Sequence, residues 1–303
     1  MGKRTSKPIY VEIDIDSDMD TIWNRTQHPE EHVRWDLRFS EIHYLPREEG
    51  MLQSFLYRTR IGFGLNISGT GETSGSHMRD SGERTSTLKF GSEQAISLIR
   101  KGGGYWRYIP IDRGIRFMTL YDYDTRFGWF GRIIDRLLFR PLMGWGTAWS
   151  FDRLKLWIEE GIPPERSFRH TAVYVTAVAF LALLWLVQGI VPKLWFPEEG
   201  EIQLLRQALP LLQNAEMLLP LLAVLEIGIA ASLLFARKHS AIYAVHIVLL
   251  LLLGAGSVWN APRLILSPLN PMLLPLAMIG LTMIAYWTGK DIPSAARCKR
   301  NKS

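Results

Sequence analysis

Four apolar runs in the second half of the chain constrain its fold more than any other feature. They are Ala172 to Val191 (AVYVTAVAFLALLWLVQGIV), Leu218 to about Ala236, Ala241 to Trp259, and Asn270 to Trp287. Crossing a hydrocarbon core of about 30 Å takes ~20 mostly apolar residues, because each helical residue advances only 1.5 Å. Helices of a soluble bundle keep a polar face, and these keep almost none. The expectation is an all-α bundle of four transmembrane helices, about 172–191, 218–236, 241–259 and 270–287, in a membrane domain over 166–290. Averages of 48% hydrophobic and 21% charged over 303 residues hide this division. Charge is dense to about Arg169, nearly vanishes, and returns in a basic tail, 291–303.

Basic loops stay in the cytoplasm. Arg166, Arg169, Arg237, Lys238, Lys290, Arg297, Lys299, Arg300 and Lys302 flank one side of the runs, against Lys193, Arg206 and Arg263 on the other. Both termini are therefore expected in the cytoplasm, in a multi-pass protein of the cell membrane. Trp195, Trp259 and Trp287 fall at helix ends, where amphipathic rings favour the headgroup layer. In the first outer loop Ile202, Leu205, Leu209 and Leu212 recur at helical spacing, as in an interfacial helix. The opening MGKRTSKPIY has no apolar core after its positive charges and so reads as no cleavable signal, while Gly2 and Ser6 fit a myristoylation motif only weakly.

Glu226 stands in the middle of the second run, ten residues before Ala236 and so about 15 Å from the inner boundary. An ionised group there costs on the order of 2.5–3.5 kcal/mol, so it is expected to face the bundle. Ala223 and Ala230, at i−3 and i+4, let another helix approach. His246 on the third run, or a backbone group freed near a proline, is the expected partner. Two roles stay open for Glu226: a tether between helices, or proton exchange with a quinone-like ligand.

Before the membrane the chain reads as one α+β unit, 1–165. Ile9 to Asp14 alternates like a strand, Ser17 with Asp20 resembles a capping box, and HPEEHVRWD follows as a second short helix with Pro29 in its first turn. Then come SEIHYL, LQSFLYRTRIG, LNISGTGETS, RTSTLKF, GYWRYIPI and GIRFMTLYDYD, serial strands of an antiparallel sheet, and a long helical stretch from about Trp129 to Glu159. KGGGYW is expected at a hairpin turn.

DIDSDMDTIWNRTQHPEEHVRWD near the start and GTAWSFDRLKLWIEEGIPPE at the end resemble the helix-grip fold of the START-like or SRPBCC superfamily. That resemblance implies an antiparallel sheet wrapped around a long C-terminal helix, with a cavity for an apolar ligand. LWLVQGIVPKLW, LEIGIAASLL and NAPRLILSPLNPMLLPLAMIG resemble the DoxX-like family of four-helix membrane proteins. The whole looks like a pairing of the two.

His28 and His32 have the i, i+4 spacing of zinc ligands, but HPEEH lacks a metalloprotease glutamate and a third ligand, so no metal is expected. Cys298 is the single cysteine, so no intrachain disulfide and no Cys/His pair arise. A net charge of +6 raises nucleic acid as a partner, but the basic residues gather at membrane flanks, where anionic lipid accounts for them, and no nucleic acid is expected. FGWFGRIIDRLLFRPLMGWG sets Arg132, Arg136 and Arg140 among aromatics, a surface suited to a bilayer or the top of the membrane domain, unless Ile133, Leu137 and Phe139 face the sheet. Tyr57, Trp106, Phe117 and Tyr121 on candidate strands line a ligand cavity in one reading and a filled core in the other. Two functions follow. One is a membrane-anchored module binding an apolar small molecule or lipid. The other is an enzyme, or a subunit of a quinone-linked oxidoreductase, for which no dinucleotide fingerprint, haem ligand pair or acid-base pair is evident and no cofactor is named.

Overall fold

The structure, a computed structural model, describes residues 7–47, 50–78, 80–197, 201–208, 214, 217–236, 239–260, 266, 270 and 272–302. The chain divides into two compact units: Met1–Ser167 together with Pro293–Ser303, and Phe168–Ile292.

In the first unit β1 (Ile9–Ile15) buries Ile9, Val11, Ile13 and Ile15 and turns the residues between them outward, the period of a half-buried strand. Helices α1 (Met19–Gln27) and α2 (Pro29–Trp35) follow. Asp18 caps α1 through the Thr21 amide at 2.7 Å, in place of the expected Ser17, because its carboxylate also accepts from the Thr21 hydroxyl. Six further strands come next: β2 (Glu41–Tyr44), β3 (Gln53–Gly62), β4 (Leu65–Met78), β5 (Arg84–Gly91), β6 (Ile99–Pro110) and β7 (Ile115–Thr125). They form one antiparallel sheet in the order β1-β7-β6-β5-β4-β3-β2.

The glycines of KGGGYW lie inside β6 and not at a turn. A Cβ on Gly104 would stand 2.3 Å from the Leu120 carbonyl oxygen and 2.5 Å from the Tyr121 Cβ. Glycine here admits close approach of β7 and its bulky rings, one of the uses a strand makes of it.

A helical run then crosses the sheet: α3 (Gly128–Ile134), a wide turn at Asp135–Phe139, and α4 (Arg140–Glu160). Ala148, Trp149, Phe151 and Leu154 of α4 share one core with β1, Tyr108, Phe117 and Trp35. Trp35 is fully buried, with the rings of Trp106, Phe117 and Phe151 about it at 6.0, 6.3 and 6.1 Å. Burying a large apolar side chain contributes roughly 1.5–3 kcal/mol, so this layer is a main source of stability. A sheet closed over one long helix is the helix-grip arrangement.

The tail is part of this unit. Residues Ala295–Arg297 make a single tight turn, and Ala295 and Cys298, three apart and so on one side of it, enter the core. The Cys298 thiol donates to the Ala148 carbonyl at 3.2 Å, and Glu12 and Lys299 exchange two backbone hydrogen bonds of 3.0 Å at the free edge of β1. The density of Lys and Arg around Cys298 makes the segment read as solvated, but Pro293, Ala295 and Cys298 are buried.

The second unit is helical: α5 (Pro164–Ile190, of which Phe168 onward lies here), α6 (Glu201–Ala208), α7 (Leu218–Ser232), α8 (Ala241–Asn260) and α9 (Leu273–Thr288). Three described helical stretches are long and apolar enough to cross a membrane, Pro164–Trp195, Leu218–Phe235 and Leu273–Arg297, and a shorter apolar helix covers Ala241–Gly256. Tyr174, Val178, Leu181 and Trp185 of α5 meet Ala230, Leu233, Tyr243, Leu250, Met278 and Ala285 in the unit's core. Leu221, Val224, Val245, Val248 and Leu252 point outward, as lipid-facing positions do. Leu209, Leu212, Arg237, Lys238 and Arg263 lie outside the described residues.

Candidate functional site

One cavity stands out in the first unit, between α2, β2 and the inner face of β3 to β6. Phe39, Ile42, Tyr44, Phe55, Leu88 and Trp106 make an apolar wall, and Thr26, Gln27, His32, Thr73 and Ser86 a polar one. The cavity measures about 40 Å³.

The polar wall is built, not incidental. Gln27 Nε2 donates to the Tyr108 hydroxyl at 2.8 Å, Thr26 Oγ1 lies 2.7 Å from that oxygen, and the Ser86 hydroxyl donates to Gln27 Oε1 at 3.2 Å. His32 is packed by the rings of Trp35, Phe39 and Trp106 at 4.9–5.1 Å. Its Nε2 is 3.0 Å from Asp36 Oδ2, and Arg38 grips both Asp36 oxygens, with Nε at 2.9 Å and Nη2 at 2.6 Å. Burial by itself would raise the Asp36 pKa, but the Arg38 charge and the hydrogen bonds from His32 and Arg38 hold it well below the usual carboxylate range. An ionised carboxylate only accepts, so His32 Nε2 donates to it.

Of the four aromatic positions picked out on the strands, Trp106 lines this cavity. Tyr57 packs with Ile42 and Phe55, donates to the Gly91 carbonyl at 3.2 Å, and has its hydroxyl pushed up to about 12 by burial. Phe117 is stacked between Phe151 at 4.4 Å and Tyr108 at 5.0 Å. Tyr121 meets the Thr147 hydroxyl at 2.9 Å beneath the Arg38 guanidinium. His28 sits apart from His32, half-exposed beside Glu30. The sequence reading passed over the His32, Asp36 and Arg38 set. Its signal is a histidine on α2, an aspartate four residues on at the helix's C-terminal cap, and an arginine two residues further.

Asp135 and Arg140 form a second buried network. Arg140 Nε meets Asp135 Oδ2 and its Nη1 meets Asp122 Oδ1, both at 2.9 Å, and Tyr123 donates to Asp135 at 2.7 Å. Arg140 therefore belongs to the interior and not to the aromatic surface that its spacing suggested.

In the second unit Ala223, Glu226 and Ala230 are the buried face of α7. Glu226 Oε2 lies 3.2 Å from Lys193 Nζ, which is 3.5 Å from Glu201 Oε1 and donates to the Gln188 carbonyl at 3.2 Å. The partner is thus a lysine of the first span's end and not His246. Pro192 cannot donate to the helical ladder, the turn widens over Val191–Trp195, and Lys193 is carried inward. His246 is satisfied otherwise: Trp185 Nε1 donates to its Nε2, its Nδ1 is 2.9 Å from the Thr282 hydroxyl, and Thr282 donates to the Met278 carbonyl at 2.7 Å. The chain of donors joins α5, α8 and α9.

Residues 182–283 match the DoxX-like family. The uncharacterized membrane protein YndG of Bacillus subtilis (strain 168) is 54% identical over 184 residues, which are 60% of this chain and 69% of that protein. Among solved structures, TTHA0849 of Thermus thermophilus is 17% identical, with 45% of this chain and 86% of that one covered at a TM-score of 0.35. The STAR-related lipid transfer protein of Xanthomonas axonopodis is 12% identical, with 41% and 75% covered and a TM-score of 0.33. At that level of similarity the fold is read from this chain's own sheet and helix.

Proposed function

The chain belongs to the family of membrane proteins that includes YndG of Bacillus subtilis, and on that premise we propose that its first unit binds a small apolar molecule carrying one hydrogen-bonding group. The observation that supports this is a cavity with one aromatic and aliphatic wall and one polar wall. At about 40 Å³ the space is far below the roughly 300–1,000 Å³ of sites for drug-sized ligands, which favours a small occupant over an acyl chain or a polycycle. The occupant lies against Phe55, Leu88 and Trp106, with its hydrogen-bonding group toward the polar wall of Gln27, Ser86 and His32, whose ring Asp36 orients. A quinone-linked role has less support, because Glu226 and His246 both have protein partners.

The membrane unit anchors this module as a four-span bundle with both termini in the cytoplasm. Residues on both sides of the bundle belong to the first unit, which supports an even number of crossings. Helices α5, α7, α8 and α9 supply four, and the excess of Lys and Arg on the flanks at 166–169 and 290–302 favours the cytoplasmic side for the module.

The test uses the full chain in lipid nanodiscs, with p-cresol and toluene as probes followed by saturation-transfer NMR. Saturation of p-cresol, at least tenfold weaker binding of toluene, and loss of both in Leu88→Trp support the reading. No transfer to either probe, or transfer unchanged in a folded Leu88→Trp variant, overturns it.

A further inference from the structure

The sheet register brings several exposed apolar segments to one end of the first unit. Gly62 pairs with Leu65, Gly91 with Lys101, and Ile99 with Thr125, so the β3–β4 hairpin tip, the β5–β6 loop and the exit from β7 share an edge. The tip exposes Ile61, Phe63 and Leu65, with Phe63 wholly in the open, and the β5–β6 loop exposes Ile96. Beyond β7 the helical run exposes Phe127, Trp129, Phe130, Ile133, Leu137, Leu138, Leu142 and Trp145, while Gly131, Asp135, Phe139 and Met143 form its inward row at i+4 spacing. That two-faced division is the pattern of an interfacial helix.

We propose that this rim rests in the headgroup and upper acyl region of a bilayer leaflet rich in anionic lipid. Charge agrees: Lys7, Arg100, Lys101, Arg132 and Arg136 are exposed at this end, against Glu93 and Asp124. Arg132 and Arg136 have no carboxylate partner among the described residues. Shape agrees as well, since a Cβ on Gly62, Gly64 or Gly128 would touch nothing within 4 Å. The tip and the start of α3 stand clear of the domain, and such convex apolar points suit fluid hydrocarbon better than a rigid pocket. Trp129 and Trp145 are the ring type favoured at the headgroup level. The unit is joined to the membrane-spanning unit at two places, after Ser167 and before Pro293, which keeps a leaflet at high effective concentration. Anionic headgroups then hold the exposed arginines, as they hold other polybasic segments. None of this depends on the cavity being a binding site.

Single cysteines in the full chain test it: Phe63→Cys, Leu137→Cys, and Arg113→Cys on the β6–β7 turn at the opposite end of the sheet. Each is labelled with an environment-sensitive fluorophore in vesicles of phosphatidylcholine with or without phosphatidylglycerol. Native Cys298 is buried and its thiol is pushed up to about 12 by desolvation, so it stays unlabelled. Lipids brominated in the upper acyl chain are expected to quench labels at 63 and 137 at least threefold more than at 113, and more strongly with phosphatidylglycerol present. Equal quenching at the three sites overturns the proposal, as does no quenching at 63 and 137. A blue shift at those two sites without bromine quenching assigns the rim to a protein partner, a second copy included, and overturns it too.

Discussion

Removing Lys193 alone from the Lys193–Glu226 pair is expected to cost far more than removing both partners. The charges are 3.2 Å apart and each side chain is at most 10% exposed. At an effective dielectric constant of about 20 their attraction is on the order of 5 kcal/mol, which roughly offsets a desolvation penalty of several kcal/mol per ion. The intact pair therefore contributes little net stability, while Glu226 left without Lys193 is an uncompensated buried charge and Lys193 left without Glu226 still has Glu201 and the Gln188 carbonyl. Lys193→Met alone is expected to destabilise by about 3–5 kcal/mol, a shift of roughly 150- to 5,000-fold in the folded ratio, and Glu226→Leu alone by less, because Lys193 keeps Glu201 at 3.5 Å. The double variant Lys193→Met, Glu226→Leu is expected to fall within about 1 kcal/mol of the parent, because two apolar side chains fill similar volume. Unfolding by sodium dodecyl sulfate in mixed micelles, followed by far-UV dichroism, reads all four corners of the cycle. The reasoning fails if Lys193→Met alone costs under about 1 kcal/mol, or if the two costs simply add in the double. Full function in a folded Glu226→Gln variant would further exclude proton exchange at this carboxyl and leave the tether.

Three other outcomes are expected. Deleting the chain after Ile292 removes the two Glu12–Lys299 backbone bonds and the 2.7 Å bond from the Ser294 amide to Asp152, so the first unit's thermal midpoint should drop by roughly 5–10 °C, for ~2–3 kcal/mol; an unchanged midpoint contradicts the docked tail. Because the folded Asp36 pKa is depressed, its stabilising contribution is complete above the unfolded value near 4 and is lost as pH falls below it. Asp36→Asn should lower the midpoint at pH 7 and flatten its fall between pH 5 and 2, and a variant with the parent's acid slope refutes this. A reporter active only outside the cytoplasm, fused after Ser303, should stay silent, and activity there would break the proposed four-span topology.

The strands are legible from their alternation and the spans from the length of their apolar runs. Ile9, Val11, Ile13 and Ile15 alternate, and Ala223, Glu226 and Ala230 share a helix face whatever lies beyond it. What the sequence hid depends on tertiary neighbours. The glycines of KGGGYW have the composition of a turn, and only the bulk of Tyr121 and Tyr123 across the ladder explains them inside a strand. The partner of Glu226 was missed because a lysine next to a proline at a span's end reads as a loop residue. Arg140 was read as surface since its two carboxylates, Asp122 and Asp135, stand 18 and 5 residues away in sequence. The His32 cavity wall was missed for a related reason: histidine beside two glutamates looks solvated until Trp35, Phe39 and Trp106 close around it.

The tail also sets an order on folding. Its backbone bonds to Glu12 and its side chains against α4 complete the first unit's core, yet these residues are made after every helix of the second unit. Until then β1 has an open edge and Asp152, buried in the finished unit, lacks the Ser294 amide and the Arg297 guanidinium. An open strand edge is a pairing hazard that native proteins cover. The basic residues of the same tail, Lys299 and Arg300, are those that hold a segment on the cytoplasmic side of a bilayer. One short segment thus closes the first unit and carries the basic residues on which the proposed cytoplasmic side rests. Insertion of the bundle with the wrong parity would leave the tail across the membrane from β1, and the first unit would remain open at that edge.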